Sequence, residues 1–248
     1  MNTGPFSLPL SWPSPRRLRL FSGLTLLAYM TAHMVNHALA LWSLDLAERA
    51  MAIGVALLHS IPGSIVLYGA ATIHFALALL AVYGKQTLRM PLIEAVRIAA
   101  GFTIPVLLIS HLVSTRIAYE LFDAAPRYGR VVAAIWANDG QARQLALLAP
   151  GWLHGCLGVH IAFHSRAWYK RGRPLLWLAA ALLPVLAGAG FLAMSREIVD
   201  PNVPVAPTAY AAALVNVRVA LYWVYGGALV AVVAARWLRL RRRQPAPL

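Results

Sequence analysis

The stretch "TAHMVNHALA", residues 31–40, lies inside an apolar run that covers about residues 20–42. It nevertheless carries His33, Asn36 and His37. A run of about 20 apolar residues is long enough to cross a bilayer as a helix. Such a helix loses free energy for every imidazole that it buries in lipid. The fold of the chain and the purpose of its histidines therefore have to be explained together.

The composition of the whole chain is that of an integral membrane protein. Of its 248 residues, 60% are hydrophobic and only 12% are charged, whereas soluble domains are about 25% charged. We predict an all-α protein with six transmembrane helices. The predicted spans cover about residues 18–42, 64–84, 98–120, 144–166, 174–195 and 209–236.

Two segments between the spans are too short or too charged to cross the membrane. "LDLAERAMAIGVALLHS", residues 44–60, is predicted to be a helix that lies in the membrane interface. "FDAAPRYGRVVAAIWANDGQAR", residues 122–143, is predicted to be a second excursion on the same side of the membrane, with helix as one option.

The lysines and arginines are divided unequally between the two sides of the predicted bundle. Fifteen fall on the side of the termini and six on the other side, together with seven of the eight acidic residues. Because positive charge accumulates on the cytoplasmic side, both termini are expected in the cytoplasm. The fifteen are Arg16, Arg17, Arg19, Lys85, Arg89, Arg97, Arg166, Lys170, Arg171, Arg173, Arg236, Arg239, Arg241, Arg242 and Arg243.

The charge and cysteine content exclude several kinds of function. The net charge of +14 comes from residues at the ends of apolar runs, which is a topology signal rather than a nucleic-acid surface. The single cysteine, Cys156, excludes an intramolecular disulfide framework and a four-cysteine iron–sulfur or zinc site. The chain has no CxxCH motif, so a covalently attached haem is excluded as well.

The chain has eight histidines, and six of them lie inside the first four predicted spans: His33, His37, His74, His111, His154 and His160. His59 falls in the outer loop and His164 at the inner border, and the last two spans have none. A single histidine in a span often makes only an interhelical hydrogen bond. Four consecutive spans with the same feature favour a shared function. Without thiolates or clustered carboxylates in the spans, that function is best explained by haem held between histidines on facing helices.

The depth of each histidine predicts which of them face each other. His33 and His111 each lie 14 residues from a basic residue at a span end, which is about 21 Å of helix. His74 and His154 lie 11 and 12 residues from such an end, or about 17 Å. The predicted pairs are therefore His33 with His111 and His74 with His154.

Other residues remain alternatives. His37, one turn beyond His33, and His160 on the fourth span are rival ligands or hydrogen-bond donors to haem propionates or a quinone. Arg218 in the sixth span either pairs with a propionate or quinone, or extends to the interface. Arg116 is a second candidate near the quinone, whose pocket the sequence does not locate.

Small and hydroxyl-bearing residues around the four histidines have two interpretations. The small residues allow close approach of a porphyrin or of another helix. The hydroxyls either hold the second imidazole nitrogen or bond back to their own helix. The small residues are Gly69, Ala70, Ala71, Gly151, Gly155 and Gly158, and the hydroxyl residues are Thr31, Thr72, Ser110, Ser114 and Thr115.

These motifs resemble a known family of membrane anchors. "RRLRLFSGLTLLAYMTAHMVNH", "HFALALLAVYG", "RIAAGFTIPVLLISHLVSTRIA" and "LHGCLGVH" are similar to the four ligand helices of the dihaem cytochrome b anchors of succinate dehydrogenase and fumarate reductase. That resemblance implies two haem b groups, ligated by His33 with His111 and by His74 with His154. The chain more closely resembles, over roughly residues 16–240, the six-helix N-terminal anchor of bacterial class III adenylate cyclases. The features that carry this are "HMVNHALAL", "SIPGSIVLYGAATIHFALAL", "TLRMPLIEA" and "WLHGCLGVHI".

The cyclase resemblance implies a sensor of the quinone pool in the bacterial inner membrane. Residues 1–15 would be a cytoplasmic segment, 16–240 the dihaem domain, and 241–248 the basic start of a linker to a cyclase domain that this sequence does not contain. This chain alone is then not catalytic, whereas the full-length parent converts ATP to cyclic AMP. The implied partners are lipid, quinone and the cyclase domain, with a homodimer as an open option.

Two other functions compete with this one. The first is an electron-transfer anchor of a succinate or fumarate:quinone oxidoreductase, which would need flavin and iron–sulfur subunits. The second is a transporter or receptor whose histidines form a proton relay, although the spans show no inverted repeat.

Overall fold

A computed structural model describes residues 14–124, 126–198 and 208–242 of the chain. Most of the predicted N-terminal segment, residues 1–13, and most of the predicted linker, residues 243–248, lie outside the described residues. The described part is built from helices and contains no strand.

Six helical segments are long and apolar enough to cross a membrane, as the sequence predicts. The first two are α1 (Pro15–Leu39) and α3 (Ile61–Gly84). The third span, Leu92–Phe122, consists of α4 (Leu92–Leu112), a π-helical turn (Val113–Ile117) and α5 (Ala118–Phe122). The remaining three are α7 (Gln141–Phe163), α8 (Ala167–Ile198) and α9 (Thr208–Arg241). The chain is a multi-pass membrane protein.

Serine residues cap the N-termini of the first three helices of the described chain. Ser14, Ser43 and Ser60 each accept a hydrogen bond from a backbone N–H in the first turn of α1, of α2 (Leu44–Leu58) and of α3. Such caps satisfy donors that the helix itself leaves unpaired. Proline follows directly in α1, where the fixed backbone angle suits a first turn and no donor is lost.

The two excursions between spans are both helical. The helix α2 (Leu44–Leu58) follows α1, and α6 (Tyr128–Ala137) precedes α7. Both lie at one end of the bundle, where they enclose a small apolar core with the ends of α1 and α8. That core consists of Ala40, Ala47, Tyr128, Val132, Ile135, Phe191 and Met194. We call this the capped end. The opposite end, to which the sequence assigns the fifteen basic residues named above, is called the basic end.

The contacts between the spans define the order of the helices around the bundle. The helix α1 packs against α3, α7 and α8, and α7 also packs against α4. The helix α9 contacts both α3 and α4 and thus closes the ring between them. As a result α1 lies diagonally opposite α4, and α3 lies diagonally opposite α7.

The outer faces of the spans are apolar and exposed. On α9, Trp223, Val224 and Val230 are 77%, 70% and 70% exposed. Apolar surface of this extent is unfavourable in water but suits contact with lipid chains.

Candidate functional site

The histidines of the first four spans meet in two pairs inside the bundle. The ring centroids of His33 on α1 and His111 on α4 are 5.9 Å apart, with 70° between the ring planes. The ring centroids of His74 on α3 and His154 on α7 are also 5.9 Å apart, at 88°. Each pair connects helices that are diagonal in the bundle. These are the pairs that the sequence predicts, and their ligation of iron stays a prediction.

The separation within each pair suits a metal ion between two imidazoles. A bond from imidazole nitrogen to a transition metal is about 2 Å long. Two such bonds, with the distance from each ring centre to its nitrogen, place the centroids roughly 6 Å apart. The observed 5.9 Å in both pairs agrees with this separation.

Three of the four imidazoles are oriented through Nδ1. His74 Nδ1 lies 3.1 Å from the backbone oxygen of Arg19, and His154 Nδ1 lies 2.8 Å from that of Arg97. His111 Nδ1 lies 3.1 Å from Oε1 of Gln144. A carbonyl oxygen only accepts, so Nδ1 donates in each case and Nε2 keeps the lone pair that a metal needs. Ligating histidines are typically fixed in this way.

The hydroxyl residues named in the sequence analysis are not the hydrogen-bond acceptors of the histidine Nδ1 atoms. Ser114 and Thr115 both bond back to the carbonyl of His111, and Thr31 bonds back to Leu27. Another hydroxyl, Ser22 Oγ, does lie 3.2 Å from His74 Nδ1, but the sequence analysis does not identify it. Main-chain acceptors cannot be predicted from residue type, because every residue has a backbone carbonyl.

His33 differs from the other three because its Nε2 has a neighbour. His37 Nε2 lies 3.2 Å from it, so one of the two nitrogens donates to the other. His37 Nδ1 and Asn36 Oδ1 are buried without a hydrogen-bond partner among the described residues. Leaving such atoms unpaired costs about 1–3 kcal/mol each, which a polar ligand at this position would offset. The structure thus leaves both His33 and His37 as candidates for the partner of His111.

Two glycines make room for the imidazoles of the pair at the basic end. A Cβ atom on Gly23 of α1 would lie 2.8 Å from Cε1 of His74. A Cβ atom on Gly101 of α4 would lie 2.6 Å from Cε1 and Nδ1 of His154. Glycine is therefore required at both positions for the rings to lie against the neighbouring helix.

The glycines named in the sequence analysis have mixed roles. Gly151 and Gly155 of α7 face Met30 and Leu27 of α1, so they serve a contact between helices. Gly69 and Gly158 face open space.

The remaining histidines are not brought to these pairs. His160 Nδ1 lies 3.0 Å from the hydroxyl of Tyr169, and the His160 ring neighbours that of His164. His59 lies at the capped end with its ring centroid 4.8 Å from that of Tyr119. His160 therefore lacks a histidine partner on another span in the described structure.

The two candidate arginines also differ in position. Arg116 lies on the π-helical turn, with Nη2 2.7 Å from Glu120 and 3.1 Å from Ser64 Oγ. Arg218 is half-buried on α9, one turn before Tyr222.

The donor set fits a haem better than a bare metal ion. Among the described residues, no group of three or more His, Cys, Asp or Glu side chains is placed to hold a metal ion. A pair of histidines suffices for haem, because the porphyrin supplies the other ligands. The paired separations, the Nδ1 acceptors, the two glycines and the unpaired atoms at Asn36 and His37 all agree with such a group.

Comparison with known proteins yields no relative: no protein-family model, no curated protein and no solved structure matches the chain.

Proposed function

We propose that the chain is a redox-sensing, quinone-responsive dihaem b anchor that regulates a cytoplasmic adenylate cyclase domain beyond residue 248. The dihaem part of this proposal is supported by two histidine pairs, each at 5.9 Å, on four consecutive spans. The quinone and cyclase parts rest on the resemblance described in the sequence analysis. A haem held by two imidazoles would supply single-electron transfer.

The chain's own part is to hold and insulate these groups. His33 or His37 with His111, and His74 with His154, would hold the two haems through their imidazole nitrogens. Gln144 and the carbonyls of Arg19 and Arg97 keep the rings in the required tautomer and orientation. The four helices would shield a bound haem from water, so that a change in its charge would act in a medium of low dielectric constant.

The connection from this bundle to the cytoplasmic side is α9. Arg236 Nε donates to the backbone oxygen of Lys85 at 3.0 Å, and Arg236 Nη2 donates to that of Gln86 at 3.2 Å. The Arg239 guanidinium lies 4.7 Å from the ring centroid of Tyr83. We call these contacts the arginine clamp. They attach the last turns of α9 to the end of α3, ten residues from His74.

Two tyrosines attach α9 to the helix that carries His111. The Tyr222 hydroxyl donates to the carbonyl of Val106 at 2.9 Å and lies 3.2 Å from Ser110 Oγ. The Tyr225 hydroxyl donates to the carbonyl of Phe102. A movement of α3 or α4 would therefore be passed on to α9 through these contacts.

The haem part of the proposal is tested by an oxidised-minus-reduced absorption spectrum of the purified chain with haem counted per polypeptide. We expect two low-spin b haems. Single replacements of His74 and His154 by alanine should each remove the same haem, and replacement of His111 the other. Replacement of His164 is the matched control and should remove none. A colourless preparation from cells well supplied with haem contradicts the proposal.

The choice between His33 and His37 follows from the same measurement. If His33→Ala removes the haem shared with His111 and His37→Ala does not, His33 is the ligand. The reverse result assigns His37.

The regulatory part is tested in the full-length protein. The double variant Arg236→Gln, Arg239→Gln should keep both haems but lose the dependence of cyclic AMP formation on quinol. Arg241→Gln is the control, because within the described residues that guanidinium stacks on Trp237 of its own helix, 3.7 Å from the ring centroid. Unchanged quinol dependence in the double variant contradicts transmission through the clamp.

The second candidate is an electron-transfer anchor of a succinate or fumarate:quinone oxidoreductase. The same histidine pairs favour it, because they provide two carriers across the bundle. Purification under mild conditions distinguishes the two: co-purifying flavin and iron–sulfur subunits support the oxidoreductase and contradict the cyclase anchor.

A further inference from the structure

The connection between α7 and α8 carries a group of positive charges at the basic end, which we call the basic cluster. Its members, all exposed, are Arg166, Lys170, Arg171 and Arg173. No ion pair among the described residues includes any of them. Glu94 is the one acidic residue that the sequence assigns to this end, and it pairs with Lys85 at 3.0 Å. Within the described residues the basic cluster therefore has no carboxylate to balance it.

The position of these charges on α8 is unfavourable without an anion. Lys170 and Arg171 lie among the first five residues of α8, and the first turn of that helix carries no acidic residue. Cations near the start of a helix are repelled by the helix dipole. Neighbouring like charges also repel each other. A bound anion would relieve both repulsions.

An apolar groove, which we call the α7–α8 groove, lies between these two helices. It is lined by residues between positions 145 and 156 of α7 and between positions 180 and 192 of α8, and it has a volume of about 510 Å³. Lys170 of the basic cluster is 18 residues before Gly188 of the groove. This spacing corresponds to five helical turns, so both residues lie on the same face of α8.

The lining of the α7–α8 groove suits a hydrocarbon chain. Pro184 has no N–H, so the carbonyl of Ala180 lacks its usual donor in the helix. Trp152 Nε1 donates to that carbonyl at 2.7 Å. The other side chains of the lining are apolar, apart from the thiol of Cys156. A group that fills the groove therefore needs no polar atom of its own.

The distances along α8 match those of a phospholipid. Ala180, at the start of the groove, is seven residues past Arg173, which is about 10 Å along the helix. The head-group region on each side of a bilayer is about 5–8 Å thick, so the groove begins at the depth where acyl chains begin. It continues for 12 residues to Leu192, about 18 Å, compared with about 15 Å of hydrocarbon in one leaflet.

We propose that the basic cluster and the α7–α8 groove together bind one phospholipid with a negatively charged head group. The guanidinium groups and Lys170 Nζ donate to its phosphate oxygens, and one acyl chain lies in the groove. Anionic lipids give the cytoplasmic leaflet its negative surface potential, and the basic end is expected on that side. This inference does not rest on the proposed function, because neither histidine pair takes part in it.

Head-group selectivity tests the basic cluster. The purified chain is titrated in detergent with phosphatidylglycerol or phosphatidylcholine of the same acyl chains, and bound lipid is counted by native mass spectrometry. We expect one phosphatidylglycerol to bind about tenfold more tightly than phosphatidylcholine. The triple variant Lys170→Gln, Arg171→Gln, Arg173→Gln should lose this preference.

A second triple variant is the matched control for charge. Arg16→Gln, Arg17→Gln, Arg89→Gln removes three exposed charges at the same end but outside the basic cluster, and it should keep the preference. Each triple variant leaves twelve basic residues at this end against six at the other, so the direction of insertion should not change.

The groove is tested by filling it. Ala149 lines the groove, whereas Ala146, three residues earlier on α7, is exposed outside it. We expect Ala149→Phe to weaken the binding of phosphatidylglycerol and Ala146→Phe to leave it unchanged. All four variants should keep the haem content of the unaltered chain, so a colourless preparation contradicts the proposed function and not this inference.

Several results would contradict the lipid site. They are equal binding of both lipids by the unaltered chain, loss of the preference in the charge control, and unchanged binding in Ala149→Phe. Inorganic phosphate distinguishes a lipid from a free anion: if it displaces phosphatidylglycerol at equal concentration, the basic cluster binds a soluble anion instead. A shift from dimer to monomer in Ala149→Phe would show that a second copy of the chain, rather than a lipid, fills the groove.

Discussion

At position 101 the imidazole of His154 lies so close to α4 that a methyl group has no space. We expect Gly101→Ala to displace this ring and to remove the haem shared by His74 and His154, while the other haem remains. The reason is the 2.6 Å that would separate the new Cβ from two ring atoms. Haem counted per polypeptide, with the difference spectrum, measures this. Gly172→Ala on α8, which meets nothing within 4 Å, is the control; retention of both haems in Gly101→Ala contradicts the prediction.

Gln144 provides a second test at the level of a single residue. In Gln144→Leu, the Nδ1–H of His111 loses its acceptor, so the imidazole becomes a poorer donor to iron. We expect haem affinity at that site to fall about 10–100-fold and its midpoint potential to rise. A redox titration measures the potential, and Gln141→Leu, one turn earlier in α7, serves as the comparison. Equal potentials in both variants would show that Gln144 does not act on a bound haem.

Some residues of the candidate site can be predicted from the sequence and others cannot. The number of residues between a histidine and the basic end of its span predicts which histidines face each other. Each residue of a helix adds a constant rise, so this number gives the depth of the histidine in the membrane. The same reasoning cannot find the acceptors of Nδ1, since two of the three are main-chain carbonyls at Arg19 and Arg97. It also overlooks Gly23 and Gly101, which are far in sequence from the histidines they accommodate.

At the scale of helices, the approach of α8 to α1 depends on Gly190. A Cβ atom there would lie 2.0 Å from the backbone oxygen of His37. Backbone cannot yield as a flexible side chain does, so we expect Gly190→Ala to separate α8 from α1 and to lower the melting temperature markedly. Gly188→Ala is the matched control, since its Cβ would meet only side-chain atoms at 3.6 and 3.8 Å. Alanine also favours helix by about 1 kcal/mol over glycine, so the control should melt no lower than the unaltered protein.

The helices themselves were predicted more completely than their ends. Hydropathy locates the apolar part of each span, whereas backbone hydrogen bonding continues beyond it. The fifth span, expected at about 174–195, therefore begins at Ala167, among basic residues, and continues to Ile198. The sixth continues to Arg241 for the same reason. The π-helical turn after His111 was not foreseen, because no residue pattern marks it.

At the scale of the whole molecule, charge predicts the direction of insertion. With fifteen basic residues at the basic end and six at the other, that end should lie in the cytoplasm. Alkaline phosphatase, which is active only outside the cytoplasm, should be active when fused after residue 140 and inactive when fused after residue 165. The opposite pattern would reverse the orientation and would place α9's exit away from any cytoplasmic domain.

The Nδ1 atoms of His74, His111 and His154 have acceptors of two different kinds, and this would limit how far substitutions could adjust haems held by the two pairs. At the capped end the acceptor of His111 Nδ1 is the side-chain amide of Gln144. A substitution at position 144 can replace this amide with a stronger or weaker hydrogen-bond acceptor or with a charged group. At the basic end both imidazoles donate to peptide oxygens, which no substitution removes, although Ser22 remains adjustable beside His74. With a haem in each pair, substitution could therefore change the difference between the two midpoint potentials chiefly at the pair that contains His111.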